Sequence, residues 1–145
     1  MRYLTYEEYQ NYGGELDETT FDSFEFQAEV EVDWYTFARL RSGMPSSEDD
    51  CERIKRCMYE LVKLLHSKAQ AQELPTVTGE TTSGGVASIL SQSNDGVSIS
   101  YNSLSASDIV KNSRREIQSY IQKYLNHVMD SLGRPLLYRG IYPGE

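Results

Sequence analysis

Residues 1–42, MRYLTYEEYQNYGGELDETTFDSFEFQAEVEVDWYTFARLRS, decide the fold of this chain. Thr5 and Glu8 form a capping box, because the hydroxyl and the carboxylate can each bond a backbone N–H group that the first turn of a helix leaves unpaired. Gly13 and Gly14 then break that helix. A long acidic helix follows, with Asp17 or Thr19 as its N-cap and residues 42–45 as its end. The stretch therefore predicts one short helix and one long helix.

The long helix is predicted to carry a broad apolar face made of two stripes. The first consists of Phe24, Ala28, Val32 and Tyr35, and the second of Phe26, Val30, Trp34, Phe37 and Leu40. A helix that is apolar over so much of its circumference packs on more than one neighbour, inside its subunit or across a subunit boundary. The candidate subunit-interface residues are therefore Phe26, Val30, Trp34 and Phe37.

Two further long helices are predicted after residue 46. Ser47 caps the first of them, whose apolar positions keep the helical period: Cys51, Ile54, Met58, Leu61, Val62 and Leu65. Ser105 or Ser107 caps the second, which Gly133 ends. Its apolar stripe consists of Val110, Ile117, Ile121, Tyr124, Leu125 and Val128.

The segment between these two helices has a different composition. Residues 69–85 are rich in Gln, Thr, Gly and Ser and predict a mobile loop. Residues 86–101 alternate apolar and polar side chains around Asn94, Asp95 and Gly96, which predicts a β-hairpin whose register stays open. The predicted fold is mainly α, a bundle of about four helices, one short and three long, with one β-hairpin and an extended C-terminal tail. Residues 1–132 form the helical domain, with an inserted loop and hairpin at 69–103.

The tail, residues 133–145, holds five large apolar side chains: Leu136, Leu137, Tyr138, Ile141 and Tyr142. Solvated tails are rarely so apolar. The tail is therefore expected either to fold back on its own core or to dock on a partner, and docking is the preferred interpretation.

Charge is divided unevenly along the chain. Residues 1–52 hold 14 acidic and 3 basic residues, a formal charge of −11, whereas residues 53–145 hold 8 acidic and 11 basic residues, a charge of +3. This asymmetry permits head-to-tail packing of identical subunits, although a solvated acidic helix face explains it equally well. Basic clusters are too few for sequence-specific DNA binding. Neither a membrane span nor a signal peptide is predicted, so the protein is expected to be made in the cytoplasm.

No sequence motif of a catalytic, cofactor-binding or metal-binding site is recognised, and the chain is predicted not to be an enzyme. The carboxylates Glu25, Glu29, Glu31 and Asp33 are interpreted as a solvated helix face. Cys51 and Cys57 are interpreted as reduced thiols, and His66 and His127 as surface or helix-end residues. The tyrosines that recur every three residues along the first helix favour packing or subunit contact over base stacking, because glutamates lie between them: Tyr3, Tyr6, Tyr9 and Tyr12.

Four segments, in matching order along nearly the whole chain, resemble the small head–tail connector (adaptor) proteins of tailed bacteriophages and prophages. They are residues 3–9 (YLTYEEY), the long helix with Ala28, Asp33, Thr36, Arg39 and Leu40, residues 91–101 (SQSNDGVSISY) and residues 136–141 (LLYRGI). The resemblance implies a non-enzymatic, mainly helical virion protein that forms a ring, commonly a dodecamer, at the head–tail junction. DNA passes through such a ring in transient, non-specific contact.

The resemblance also implies partners and a docking segment. The partners are further copies of the chain, the portal protein and a head-closure or tail-completion protein, with no cofactor and no membrane. The portal-docking candidates are Leu136, Leu137, Tyr138, Arg139, Ile141 and Tyr142, and residues 70–85 with the hairpin around Asp95 would face the lumen or the next tail component. Two alternatives stay open: a small cytoplasmic protein–protein interaction module that binds through the tyrosine-rich helix, and a metal-dependent hydrolase that uses clustered carboxylates.

Overall fold

The computed structural model describes the backbone of residues 1–73, 106–141 and 143, and the side chains of residues 1–71, 110–141 and 143. The predicted β-hairpin, most of the predicted loop, Ser105 and Tyr142 lie outside these residues. In the described part, four α-helices occur and no β-strand: α1 (Tyr6–Asn11), α2 (Glu18–Thr36), α3 (Glu48–Glu73) and α4 (Ala106–Leu125). A short 3-10 helix, Arg39–Ser42, follows α2. The prediction of a mainly helical protein is confirmed.

The starts of α1, α2 and α3 follow from local side-chain hydrogen bonds, as predicted. The Glu8 backbone N–H donates to Thr5 Oγ1 over 3.2 Å, and the Thr5 N–H donates to Glu8 Oε2 over 3.0 Å, which completes the capping box of α1. Of the two caps proposed for α2, Asp17 is the one used, since its carboxylate accepts from the Thr20 N–H over 3.0 Å. Ser47 Oγ accepts from the Asp50 N–H at the start of α3.

Three predicted helix ends are wrong, and backbone geometry, helix propensity and tertiary packing explain one each. Helix α2 ends at Thr36 because the next two residues adopt left-handed φ angles of 55° and 56° and lead into the 3-10 helix. Helix α3 continues to Glu73, through residues that the composition assigned to the loop, because Ala, Gln and Glu are good helix formers. Helix α4 ends at Leu125, well before Gly133, because the chain reverses there to pack Leu136 into the core.

Helix α3 lies at the centre and packs against both α2 and α4. The buried residues of these three helices form one core: Phe21, Ala28, Val32, Ile54, Cys57, Met58, Leu61, Val62, Ile117, Ile121 and Leu125. Helix α1 adds Tyr9, whose ring lies 4.7 Å from that of Phe21 between centroids. Gly14 lies so close to the Tyr9 ring that a Cβ atom there would be 2.1 Å from it, so only glycine fits. The first stripe of α2 therefore faces the core, and the tyrosine-rich helix packs inside the chain.

The interpretation of the α2 carboxylates as a solvated face is wrong for two of them. Glu25 and Asp33 are buried, with exposed fractions of 2% and 6%. Both contact the N-terminal segment, residues 1–4, in which Arg2 is a partner of Glu25 and Tyr3 is a partner of Asp33. Because those partners come from a different part of the chain, the α2 sequence alone does not signal the burial.

Candidate protein-docking surface

The second stripe of α2 is exposed on the surface. Phe26, Val30, Trp34 and Phe37 have exposed fractions of 65%, 48%, 77% and 54%. They are four, four and three residues apart, which places them along one side of the helix and its C-cap. Isolated exposed apolar residues are common, whereas a contiguous row of large ones marks an interaction site. These four residues are called the α2 row below, and they are the four predicted from the sequence as interface candidates.

Leu40, the fifth residue of the predicted stripe, does not belong to this surface. It is fully buried, because the chain leaves the helical path at Thr36 and turns Leu40 towards the core. The row therefore ends at Phe37, whose ring packs against the guanidinium of the buried Arg39, 5.4 Å from the ring centroid.

Polar contacts hold the N-terminal segment against α2, and the segment leaves the row open. The Met1 ammonium lies 3.4 Å from Glu29 Oε1, Arg2 Nη2 donates to Asp22 Oδ1 over 2.8 Å, and the Tyr3 hydroxyl donates to Asp33 Oδ1 over 2.6 Å. On a helical wheel these carboxylates lie between the core side of α2 and the row. The segment therefore covers the acidic side of the helix without covering the apolar row.

Burial sets the electrostatics beneath this segment. It raises the pKa of Glu25, the nearby charge of Glu29 raises it further, and Arg2, whose Nε is 3.6 Å from Glu25 Oε2, opposes both effects. Burial also raises the pKa of the Tyr3 phenol, and its hydrogen bond to Asp33 adds to that shift. Asp33 has a second partner, Arg41 Nε, at 2.7 Å. Asp33 therefore accepts two hydrogen bonds, one from the Tyr3 phenol, which stays protonated, and one from the Arg41 guanidinium.

Two grooves flank the row and share Trp34 and Tyr35. One, with a volume of about 340 Å³, is also lined by Val30, Glu31 and Arg114 of α4. The other, of about 540 Å³, is also lined by Asp33, Phe37, Ala38 and Arg139. The row is thereby continuous with α4 on one side and with the C-terminal residues on the other. Its apolar centre carries charged groups at both edges, which is the anatomy of a protein interface.

Arg39 fixes the C-terminal segment, residues 135–141, against this surface. Its exposed fraction is 5%. Its Nη1 donates to the carbonyl oxygens of Pro135, Leu136 and Tyr138 over 3.1, 3.3 and 2.7 Å, and its Nη2 donates to that of Gly140 over 3.3 Å. This role was not predicted from the sequence. The acceptors are backbone carbonyls about 100 residues away, and no pattern of side chains predicts such a contact.

The portal-docking candidates divide between core and surface. Leu136 is fully buried and Leu137 packs partly buried against the core, so Leu136 does not present its side chain to a partner in this fold. Tyr138, Arg139 and Ile141 are exposed, Ile141 to 85%. The tail therefore folds back through Leu136 and keeps three candidate residues at the surface.

The remaining chemical candidates lie apart from the row. Both cysteines are free, and burial raises the pKa of the Cys57 thiol to about 12, which keeps it protonated and unreactive. His66 forms a T-shaped pair with Phe24, with 5.4 Å between the ring centroids, and His127 is exposed. Among the described residues, no group of three or more His, Cys, Asp or Glu side chains is placed to hold a metal ion. The helices of that same part include none long and apolar enough to cross a membrane.

No protein-family model, curated protein or solved structure was found to match this chain.

Proposed function

We propose that this protein is a non-enzymatic structural subunit that assembles with copies of itself into a ring at the head–tail junction of a tailed phage. The α2 row is the observation that carries the proposal. Covering apolar surface contributes roughly 25 cal/mol per Å². Four large exposed side chains on α2 and its C-cap therefore supply a driving force for association that the isolated chain leaves unused.

Charge supports a second copy as the occupant of the row. Helix α2 carries six acidic residues and no basic one. The chain from residue 53 onward has a net charge of +3. Opposite charges on different parts of one molecule steer identical subunits into head-to-tail contact, in which each copy uses a different surface towards each of its two neighbours.

The resemblance to phage connector proteins supplies the setting for such a ring. The opening YLTYEEY forms the cap and body of α1, and LLYRGI is the segment that Arg39 holds beside the row. In a connector, Tyr138, Arg139 and Ile141 would face the portal, the head-closure or tail-completion protein would bind elsewhere on the ring, and DNA would pass through the lumen.

The two alternatives receive less support from the contacts. The tyrosine-rich helix of the interaction-module hypothesis buries Tyr9, and the neighbouring Tyr3 is also buried, so little of that aromatic surface is free for a partner. In the hydrolase hypothesis, Glu25 and Asp33 would have to bind a cation. Instead Glu25 lies beside Arg2, and Asp33 bonds Tyr3 and Arg41.

Electron microscopy of the purified full-length chain over a range of concentrations tests the proposal. We expect closed rings for the wild type and single subunits for Trp34→Asp, because the new carboxylate would be buried in an apolar contact. Asn112→Asp adds the same charge on an exposed face of α4 and serves as the control, which should form rings. Circular dichroism checks that each variant is folded. Single wild-type subunits at every soluble concentration, alone and with a portal, would contradict the proposal.

A further inference from the structure

The turn that follows α4 is built more tightly than a connecting loop requires. Met129 and Pro135 form an antiparallel bridge. Inside it, the Asp130 N–H donates to the Arg134 carbonyl over 2.8 Å and the Gly133 N–H donates to the Asp130 carbonyl over 3.0 Å. Gly133 has a φ of +75°, a left-handed conformation that glycine adopts without strain. Residues 129–135 are called the α4 turn below.

A buried carboxylate organises the α4 turn from within. Asp130 is 4% exposed, and its Oδ1 accepts from the backbone N–H groups of Leu132 and Arg134, both over 2.8 Å. Its Oδ2 accepts from Arg134 Nε over 2.6 Å. Burial acts to raise the pKa of Asp130, but these hydrogen bonds outweigh it and lower the pKa overall. The carboxylate is therefore ionised at neutral pH, and three donors fix the turn around it.

This rigid frame holds two apolar side chains outward. Leu132 is 70% exposed and Met129 is 42% exposed. Turns usually carry Gly, Pro, Asn, Asp or Ser at such positions. A leucine on a preordered turn loses little conformational freedom when it enters an interface, which is the property of an effective contact residue.

Building on the self-association proposed above, we infer that the α4 turn docks against the α2 row of a second copy of this chain. Leu132 and Met129 supply the apolar contact for Trp34 and its neighbours. The turn itself is neutral, because Asp130 pairs with Arg134, but the basic residues Lys123 and Arg139 flank it in the sequence, whereas α2 holds six acids and no base. The contact joins two different surfaces, so in a pair one copy still has a free row and the other a free turn, and repetition closes a ring or extends a filament.

Mixing two variants, each blocked at one surface, tests this inference. Trp34→Asp lacks a working row but keeps the turn, and Leu132→Asp lacks a working turn but keeps the row. Leu132→Met keeps the apolar character and is the matched control. Molecular mass is measured by light scattering at the concentration where the wild type assembles, with chemical crosslinking to retain weak pairs and circular dichroism to check folding.

We expect each Asp variant alone to be monomeric, with association weakened at least about tenfold, as expected for a central contact residue. We expect their equimolar mixture to form a one-to-one dimer, because the intact turn of Trp34→Asp can bind the intact row of Leu132→Asp. Leu132→Met should assemble like the wild type. Normal assembly of Leu132→Asp would overturn the role of the turn and leave the proposed function standing. A mixture that stays monomeric would overturn it too, because an intact row and an intact turn would then have failed to bind each other. A wild type that never assembles would overturn both proposals.

Discussion

At the scale of single residues, three buried charged side chains hold the ends of the chain onto the helices. Arg39 bonds carbonyls of the C-terminal segment, Asp33 bonds Tyr3, and Glu25 lies beside Arg2. A buried charge is stable only while its partners remain, so each of them ties a chain terminus to the core. The alignment of the row with the C-terminal segment depends on these contacts.

Arg39→Ala should lower the free energy of unfolding by about 3 kcal/mol, because it leaves carbonyls of the C-terminal segment unpaired near the core. Arg39→Lys should recover only part of this loss, since an ammonium lacks the planar fork that reaches several carbonyls. Urea denaturation measures both. Arg53→Ala, at an exposed position on α3, is the control and should change stability by less than about 0.5 kcal/mol. An Arg39→Ala effect as small as the control would show that the anchor does not stabilise the fold.

Because the pKa of Glu25 is raised, we expect the free energy of unfolding to depend on pH. Its pKa is raised by burial and by Glu29, so the folded state holds the proton more tightly than the unfolded state. The free energy of unfolding of the wild type should therefore rise relative to that of Glu25→Gln as the pH falls from 7 towards about 5. The wild type and Glu25→Gln are compared by urea denaturation at several pH values. Glu7→Gln, at an exposed position on α1, is the control. A difference between wild type and Glu25→Gln that does not change with pH would contradict the assignment.

At the scale of elements, α2 has two apolar sides, one buried in the core and one exposed. Val32→Ala should lower the free energy of unfolding by about 2 kcal/mol, because Val32 is fully buried and its truncation leaves a cavity. Trp34→Ala should change it by less than about 0.5 kcal/mol under conditions where the chain is monomeric, since the indole is 77% exposed. Thermal or urea unfolding of dilute samples measures both. Similar losses for the two variants would mean that Trp34 stabilises the subunit itself.

The starts of α1, α2 and α3 and the end of α1 could be predicted from the sequence, whereas the ends of α2, α3 and α4 could not. Thr5, Asp17 and Ser47 each cap a helix by bonding a backbone N–H three residues later, so a few neighbouring residues are enough to predict the cap. The end of α2 at Thr36 and that of α4 at Leu125 depend on where later segments pack. Helical periodicity found both stripes of α2 and singled out the four residues of the row. Its role as an interface between copies stays a prediction.

The burial of Arg39, Glu25 and Asp33 was beyond sequence reasoning for a related reason. Charged residues on a helix are solvated by default, and their burial depends on partners from other segments. The α4 turn was missed as well. Its signal, an Asp four residues before an Arg with a Gly between them, is short and occurs in many ordinary turns.

At the scale of the whole molecule, the described residues form a packed core of three helices, with apolar residues left outside it on α2 and on the turn after α4. The charge difference between the two halves of the sequence favours contact between unlike surfaces of neighbouring copies. Assembly would therefore bury what folding leaves exposed, without requiring a change in the core.

The fluorescence of Trp34, the single tryptophan of the chain, tests the central claim most directly. Quenching by acrylamide and the emission wavelength are measured in dilute and concentrated samples, while light scattering reports the mass. We expect the indole to be readily quenched in the monomer, and its emission to shift to shorter wavelength and its quenching to fall as the mass rises. An assembled sample in which Trp34 stays as quenchable as in the monomer would show that copies associate through another surface.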